Sequence, residues 1–254
     1  MQLRLIDSKE NNAFMNMAID EALLASRLPV LRFYSWNPAA LSIGYFQSIR
    51  DFNLDNLKKH NIDLVRRLTG GDAVLHDKEL TYSFIIGESL MPESVTDSYK
   101  IISKGILLAL KSLGIKAEMN EEVDKNKKTA ICFNNPSWYE LTVNNKKIVG
   151  SAQKRVDGKL LQHGAILLDI GIEKLASLFK TKTDINKLKN KITSINQESK
   201  NKITYDQLAE AMEEGFKKNL KAKLIKGTLA DQEIKAAKKL AKEKYSTKEW
   251  NEKL

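Results

Sequence analysis

The chain has 254 residues, 42% of them hydrophobic and 29% charged, with a net charge of +10. That balance is ordinary for a soluble globular enzyme, and the length suffices to bury a sizeable core. No run approaches the roughly 18 apolar residues of a membrane helix. The first residues show no secretory signal, and the lone cysteine excludes an internal disulfide and points to the reducing cytoplasm.

In chain order, Asn12 to Arg27 reads as a helix, with Phe14, Met17, Ala18 and Leu24 at helical spacing and Asn11 or Asn12 as its N-cap. Short β-like runs follow at Leu31–Trp36, Leu41–Tyr45 and Leu64–Arg67. A glycine turn, Thr69-Gly70-Gly71-Asp72, leads to runs at Ala73–His76 and Tyr82–Ile86. Asp97 to Leu113 is a second amphipathic helix, stopped by Gly114. A β-rich stretch then comprises Ala130–Phe133, Tyr139–Val143, Lys147–Ser151, Gln153–Val156, Lys159–Leu161 and Ala165–Asp169. Asn144-Asn145 and Asp157-Gly158 between these runs are short-hairpin signals. From Glu173 onward the pattern is helical, over Tyr205–Leu220 and Ala230–Lys244. Strands interrupted by single helices, then a helical tail, predict an α+β fold around a mixed or antiparallel sheet. With no Gly/Ser/Pro-rich linker and no internal repeat, residues 1–254 read as one domain, with a core at about 30–170 and a helical segment at about 173–254 packed on it.

The charge is uneven: residues 1–173 are nearly neutral, whereas 174–254 carry 20 lysines against 11 acidic residues, net +9. A lysine-rich solvated helical surface is the plain reading, and an acidic partner the functional one. No aromatic-interleaved basic run of the kind that stacks single strands is visible, so nucleic acid is disfavoured.

Cys132 lies in ICFNNPSWYELTVNNKKIVGSAQKR, fifteen residues before Lys147 across the hairpin turn. A lone cysteine is more often packed than reactive. A cation folded back beside it lowers the thiol pKa and populates the nucleophilic thiolate. The second signal is Arg66-Arg67-Leu68-Thr69-Gly70-Gly71-Asp72-Ala73-Val74-Leu75-His76. Its glycines permit close backbone approach, and successive N–H groups there can cradle an anion, with Arg66 or Arg67 adding a bidentate grip. A hairpin turn with glycines for geometry alone explains them equally well. Gly150-Ser151 follows Lys147, and His163-Gly164 opens the Ala165–Asp169 run, in a cleft or as a structural histidine. The histidines and cysteine show no metal-ligand spacing, and no serine sits in a Gly-x-Ser-x-Gly elbow.

RRLTGGDAVLHDKELTYSF, SWYELTVNNKKIVGSAQKR and LQHGAILLD, in that order, resemble the biotin/lipoate A/B protein ligase superfamily, and the closing KYSTKEWN resembles the end of its catalytic domain. The resemblance implies a class II aminoacyl-tRNA synthetase/biotin-ligase-like fold, with a large, mainly antiparallel mixed sheet, a smaller sheet and flanking helices. Within the superfamily, CFNNPSWYEL with its cysteine is similar to the LipM type of octanoyltransferase. That likeness implies Cys132 as the nucleophile forming an acyl-thioester, with Lys147 lowering its pKa and orienting the acyl carbonyl. Arg67, Thr69, Gly70, Gly71, Asp72, Ala73, Val74, His76, Gly150, Ser151, His163 and Gly164 would bind substrate. The implied donor is octanoyl-acyl carrier protein and the implied acceptor a lysine of glycine cleavage H protein or an E2 lipoyl domain. No cofactor or metal is implied, and a monomer is expected.

Two alternatives stand beside this one. An ATP- and magnesium-dependent lipoate or octanoate ligase would work through an acyl-adenylate and leave Cys132 incidental. Against it, ligases often have a third glycine where this chain has Asp72, whose charge would repel a triphosphate, and many carry an accessory domain whereas this chain ends soon after KEWN. A non-catalytic acyl-binding module is the other alternative.

Overall fold

A computed structural model describes residues 1–120, 140–181 and 184–254. The strands are β1 (Gln2–Asn11), β2 (Val30–Trp36), β3 (Ala40–Ile43), β4 (Asp63–Arg66), β5 (Val74–His76), β6 (Glu79–Gly87), β7 (Glu118–Asn120), β8 (Glu140–Val143), β9 (Lys146–Lys147), β10 (Val149–Val156), β11 (Lys159–Leu167) and β12 (Lys223–Gly227). The helices are α1 (Ala13–Ala22), α2 (Leu54–Lys59), α3 (Val95–Ser112), α4 (Ile172–Ser177), α5 (Ile185–Lys189), α6 (Ile195–Glu198), α7 (Tyr205–Leu220), α8 (Asp231–Leu240) and α9 (Lys248–Asn251), with a π-turn at Ala241–Tyr245 after α8.

Six strands form the main sheet, in the order β10-β11-β6-β2-β1-β12. β1 runs parallel to β2 and β12, and the other pairs are antiparallel. Two three-stranded sheets accompany it, β4-β3-β5 and β7-β8-β9, where one smaller sheet was expected. Hairpin chemistry sets the register as predicted. Asn144 and Asn145 have φ of 49° and 62°, Asp157 and Gly158 of 50° and 71°, the left-handed pairs that match strand twist.

One face of the main sheet buries Leu3, Leu31, Phe33, Tyr82 and Phe84 against α3 and α7, through residues such as Ile106 and Phe216. The opposite face packs Ile6, Val30, Tyr34, Ile85 and Leu161 on α1, with Ala237 of α8 and Tyr245 behind. The small β3-β4-β5 sheet closes over Phe52, Leu57, Leu175 and Phe179. Helix starts follow local sequence. Asn12 caps α1 by accepting from the Met15 amide at 2.9 Å, and Thr204 with Gln207 forms a reciprocal capping box on α7.

The C-terminal segment is less purely helical than its sequence suggests. Residues 223–227 form β12, which pairs with β1 along the sheet edge from Gln2↔Lys223 to Ile6↔Gly227. The stretch is too short to show a period of its own, and the exposed edge of β1 is what makes it a strand. The runs read as Lys147–Ser151 with Gln153–Val156, and as Lys159–Leu161 with Ala165–Asp169, each contribute to one long strand, β10 and β11. His163 therefore sits mid-strand rather than at a strand end. The run Ala130–Phe133, with Cys132, and residue Tyr139 lie outside the described residues.

Candidate active site

Alternation along β2 sends Arg32, Tyr34 and Trp36 to the α1 face of the sheet. Across the ladder, Arg32 pairs with Ser83, Ser83 with His163, and His163 with Ala152. One step along, Tyr34 pairs with Thr81, Thr81 with Ala165, and Ala165 with Gly150. His163, Ala152, Tyr34, Thr81, Ala165 and Gly150 of these two rows floor a narrow cleft. Met17 from α1, Ser42 from β3, Val74 and His76 from β5, and Arg67 complete its walls.

Beneath the floor lies a buried ion pair. Asp20 accepts from the Arg32 guanidinium at 2.7 Å, from Ser83 and Tyr34 hydroxyls at 2.8 Å each, and from His163 Nδ1 at 3.1 Å. Burial opposes ionisation of Asp20. The Arg32 charge and the hydrogen bonds from His163 and Ser83 outweigh it and hold the carboxyl below its usual range. Burial likewise pushes His163 down, beyond what Asp20 restores, so the ring is neutral at pH 7. Its Nδ1–H donates to Asp20, and Nε2 accepts from the Thr69 hydroxyl at 2.7 Å.

A second histidine repeats the arrangement. His76 Nδ1 faces Glu79 at 3.0 Å, Nε2 faces the Ser42 hydroxyl at 2.8 Å, and the ring stacks on Trp36 at 4.0 Å between centroids. The Trp36 indole N–H donates to Thr81 at 2.7 Å, and Thr81 donates to Glu79. Both relays end on hydroxyls that accept from Arg67, Thr69 at 3.3 Å and Ser42 at 3.1 Å. Arg67 also donates to the carbonyls of Ser42, Gly70 and Asp72 at 2.8, 2.9 and 2.7 Å. Five donors thus fasten the glycine turn to the cleft floor.

The neutral His163 makes stability pH-dependent. Its folded pKa lies below the unfolded value near 6.5, so the unfolded chain binds more protons between the two. Its contribution is complete above about pH 6.5 and is lost as pH falls through that window. Urea melts at pH 7.5 and 5.5 should show a fall in stability that His163→Gln, uncharged at both values, makes shallower. Equal slopes in the two proteins would contradict it.

The glycine turn is shaped by crowding as well as torsion. Gly71 has φ of 82°, and a Cβ on Gly44 would lie 1.8 Å from the Gly71 carbonyl oxygen. Gly44→Ala must displace the turn, and should cost about 1–3 kcal/mol, the usual range for overpacking. A thermal melt within 1 °C of the parent would refute this contact.

The sequence-predicted residues divide into groups. Arg67, Val74, His76, Gly150, Ser151, His163 and Gly164 line the cleft, and Thr69 supports His163 from behind. Gly70, Gly71, Asp72 and Ala73 do not line it, although Gly70 and Asp72 supply carbonyls to Arg67. Arg66 is buried, and it donates to the carbonyls of Gly44, Tyr45, Gln47, Trp250 and Asn251 rather than facing a ligand. Lys147 is buried in β9, three residues before the cleft wall at Gly150, and is ion-paired with Glu140 of β8. Its amide donates to the Lys191 carbonyl at 2.8 Å and its carbonyl accepts from Thr193 at 3.0 Å. Cys132 lies outside the described residues. Among the described residues no His, Cys, Asp or Glu cluster is placed to hold a metal, and no helix is long and apolar enough to cross a membrane.

The sequence reading missed Asp20, Arg32, Tyr34, Trp36, Ser42 and Thr81. One signal was present. Arg32 interrupts the apolar run VLRFYSW, and a charge inside a buried strand requires a partner. Asn16 and Asp20, one turn apart on α1, are that partner.

A mixed sheet with a mainly apolar cleft on one face, its floor tied to a glycine turn through Arg67, is an architecture suited to a protein-acylating enzyme. Residues 12–217 match the family model of the lipoyl protein ligase A/B catalytic domain, and the chain belongs to that family. Among its relatives, the octanoyltransferase LipM of Halalkalibacterium halodurans is 44% identical over 98% of both chains. That of Bacillus subtilis is 43% identical over 98% of this chain and 97% of its own. Among solved structures, a lipoate-protein ligase A bound with ATP superposes with a TM-score of 0.85 at 27% identity, covering 99% of both chains. The bipartite lipoate protein ligase of Thermoplasma acidophilum gives 0.85 at 26% identity, covering 99% of this chain and 96% of its own.

Proposed function

We infer that the chain is an acyltransferase of lipoate assembly that moves an octanoyl group onto a lysine of a lipoyl-domain protein. The observation that carries this reading is the 43–44% identity to LipM octanoyltransferases over essentially the whole of both chains. The apolar walls of the cleft, formed by Met17, Tyr34, Trp36, Val74 and Ala165, suit an unbranched acyl chain.

The proposed mechanism is a ping-pong transfer. The Cys132 thiolate attacks the thioester carbonyl of octanoyl-acyl carrier protein; the new S–C bond forms as the carrier's thiolate leaves. The neutral amine of the acceptor lysine, on glycine cleavage H protein or an E2 lipoyl domain, then attacks the enzyme thioester. The C–S bond breaks as the amide forms, the Cys132 thiolate is released, and the proton shed by the attacking amine passes to the solvent. Splitting the transfer this way means the two proteins never need to meet. Lys147 is assigned to lower the Cys132 pKa and orient the acyl carbonyl. Its ion pair with Glu140 holds the side chain in place between β8 and β9. The cleft residues Arg67, Val74, His76, Gly150, Ser151, His163 and Gly164 are assigned to the acyl chain.

In this reading residues 1–254 act as one catalytic unit, which β12 supports by tying the C-terminal segment into the main sheet, and the protein works as a monomer. Catalysis needs neither ATP nor metal. The compartment is the cytoplasm, where a lone thiol stays reduced. The likeness to an ATP-bound ligase favours a second reading, adenylation of a free acid. Incubation with a lipoyl domain decides between them. Octanoyl-lysine formed from octanoyl-acyl carrier protein without ATP supports the transferase. Product formed only from free octanoate with ATP and magnesium establishes the ligase.

A further inference from the structure

The fold assembles a basic, aromatic surface that no stretch of sequence contains. Lys253 Nζ lies 3.5 Å from the Tyr45 ring centroid and 3.9 Å from that of Trp250. Lys154 lies 4.8 Å from Tyr45, and Lys244 lies 4.1 Å from Trp250. Phe46, edge-on to Tyr45 at 4.9 Å, is 80% exposed, more than any other large hydrophobic side chain among the described residues.

This surface is built and held in place. The Arg66 guanidinium donates to the carbonyls of Gly44, Tyr45 and Gln47 on one side and of Trp250 and Asn251 on the other. The Trp250 indole returns a hydrogen bond to the Arg66 carbonyl at 2.8 Å. One buried cation therefore locks the loop after β3 to α9, and the rings that carry the lysines cannot drift apart.

Its position joins two features. At one end Tyr45 is bonded to Thr69 of the glycine turn, and Lys154 stands two residues beyond the cleft-lining Ala152. At the other end Lys244 leads back into α8 and the π-turn, where Lys235, Lys238, Lys239 and Lys242 are all exposed. The acidic side chains along this track are Glu21, which pairs with Lys244 at 2.8 Å, Asp231, exposed at the start of α8, Glu233, paired with Arg4 at 2.6 Å, Glu243, 3.9 Å from Lys239, and Glu249 and Glu252, exposed on and beside α9. Part of the excess positive charge of the C-terminal third thus sits on the exposed side of α8 and the π-turn, which lead to Lys244 beside the Trp250 ring.

We propose that the α8 lysines, with Phe46, Lys154 and Lys253, form the docking surface for the acidic carrier protein that delivers the acyl group. An exposed aromatic packed edge-on to a tyrosine that carries two lysines is suited to a carboxylate-bearing protein surface, the ring supplying contact area and the lysines steering encounter. The inference rests on the transferase reading for the identity of the partner, but its test does not depend on turnover.

The test is equilibrium binding of fluorescently labelled acyl carrier protein to the full chain, at low and moderate salt. The variants are Lys238→Glu/Lys242→Glu, Lys253→Glu and Phe46→Ala, with Lys200→Glu/Lys202→Glu as a charge-matched control elsewhere. Each charge-reversal variant should weaken binding roughly tenfold and flatten its salt dependence, Phe46→Ala should weaken it with the salt dependence kept, and the control should do neither. Acylation by octanoyl-N-acetylcysteamine, which needs no docking surface, should be unchanged in all of them. Unaltered carrier binding overturns the proposal, as does a loss confined to the acceptor lipoyl domain or to a DNA oligonucleotide. Carrier that binds normally but transfers nothing in the parent enzyme would instead remove the transferase reading and leave the docking surface standing.

Discussion

Exchanging Cys132 for Ser eliminates octanoyl transfer, with a loss on the order of 10³-fold or more, as for removal of other covalent nucleophiles. A cation beside a thiol brings its ionisation into the neutral range, but no single ammonium does the same for a serine hydroxyl. The change is a single-atom replacement, so folding and carrier binding should stay as in the parent and the loss should fall on kcat. Assay of amide formation on a lipoyl domain, with octanoyl-acyl carrier protein as donor, measures it. A variant retaining a tenth of parental turnover would mean that the acyl group never resides on this residue.

The second large effect concerns the ion pair beneath the cleft. Asp20→Ala leaves the Arg32 guanidinium fully buried, with Asn16 and the Ser8 hydroxyl as its remaining partners. Breaking a buried pair from one side costs about 3–5 kcal/mol. That is a large share of the 5–15 kcal/mol typical of a whole domain. The variant should melt far below the parent, or accumulate insoluble. Adding Arg32→Met removes the orphaned charge and should recover much of the loss. If Asp20→Ala alone costs less than about 1 kcal/mol, the network is not the scaffold described here.

Elements that solve a local problem were legible in the sequence. The α3 stripe, the Asn12 cap of α1 and the two left-handed hairpin turns come from contacts within a few residues, and their positions emerged nearly intact. β10 and β11 were harder. Ser151 and Gln153, and then Gln162, His163 and Gly164, interrupt apolar patterning because they face the cleft or one another across the ladder. Function therefore erased the signal where the site lies. β1 and β12 form a pair more than two hundred residues apart, which no local pattern reports.

The site was legible on one side. Motif residues Arg67, His76, Gly150 and His163 converge on the cleft, whereas nothing in the β-like run Leu31–Trp36 marks Tyr34 and Trp36 until the sheet brings them opposite Thr81 and His76. Arg66 and Arg67, equivalent candidates in the sequence, divide their work. Arg67 secures the cleft floor, and Arg66 secures the loop that carries Tyr45 and Phe46. The basic surface shows the same limit: its rings and lysines come from residues 45, 46, 154, 244, 250 and 253.

The central claim is that the octanoyl group passes through Cys132. Intact-protein mass spectrometry after mixing the pure enzyme with octanoyl-acyl carrier protein, in the absence of ATP, tests it most directly. An octanoyl adduct that maps to Cys132 and is removed by hydroxylamine is the predicted result. An unmodified enzyme, with octanoyl-lysine on the acceptor appearing only when free octanoate and ATP are supplied, would contradict it.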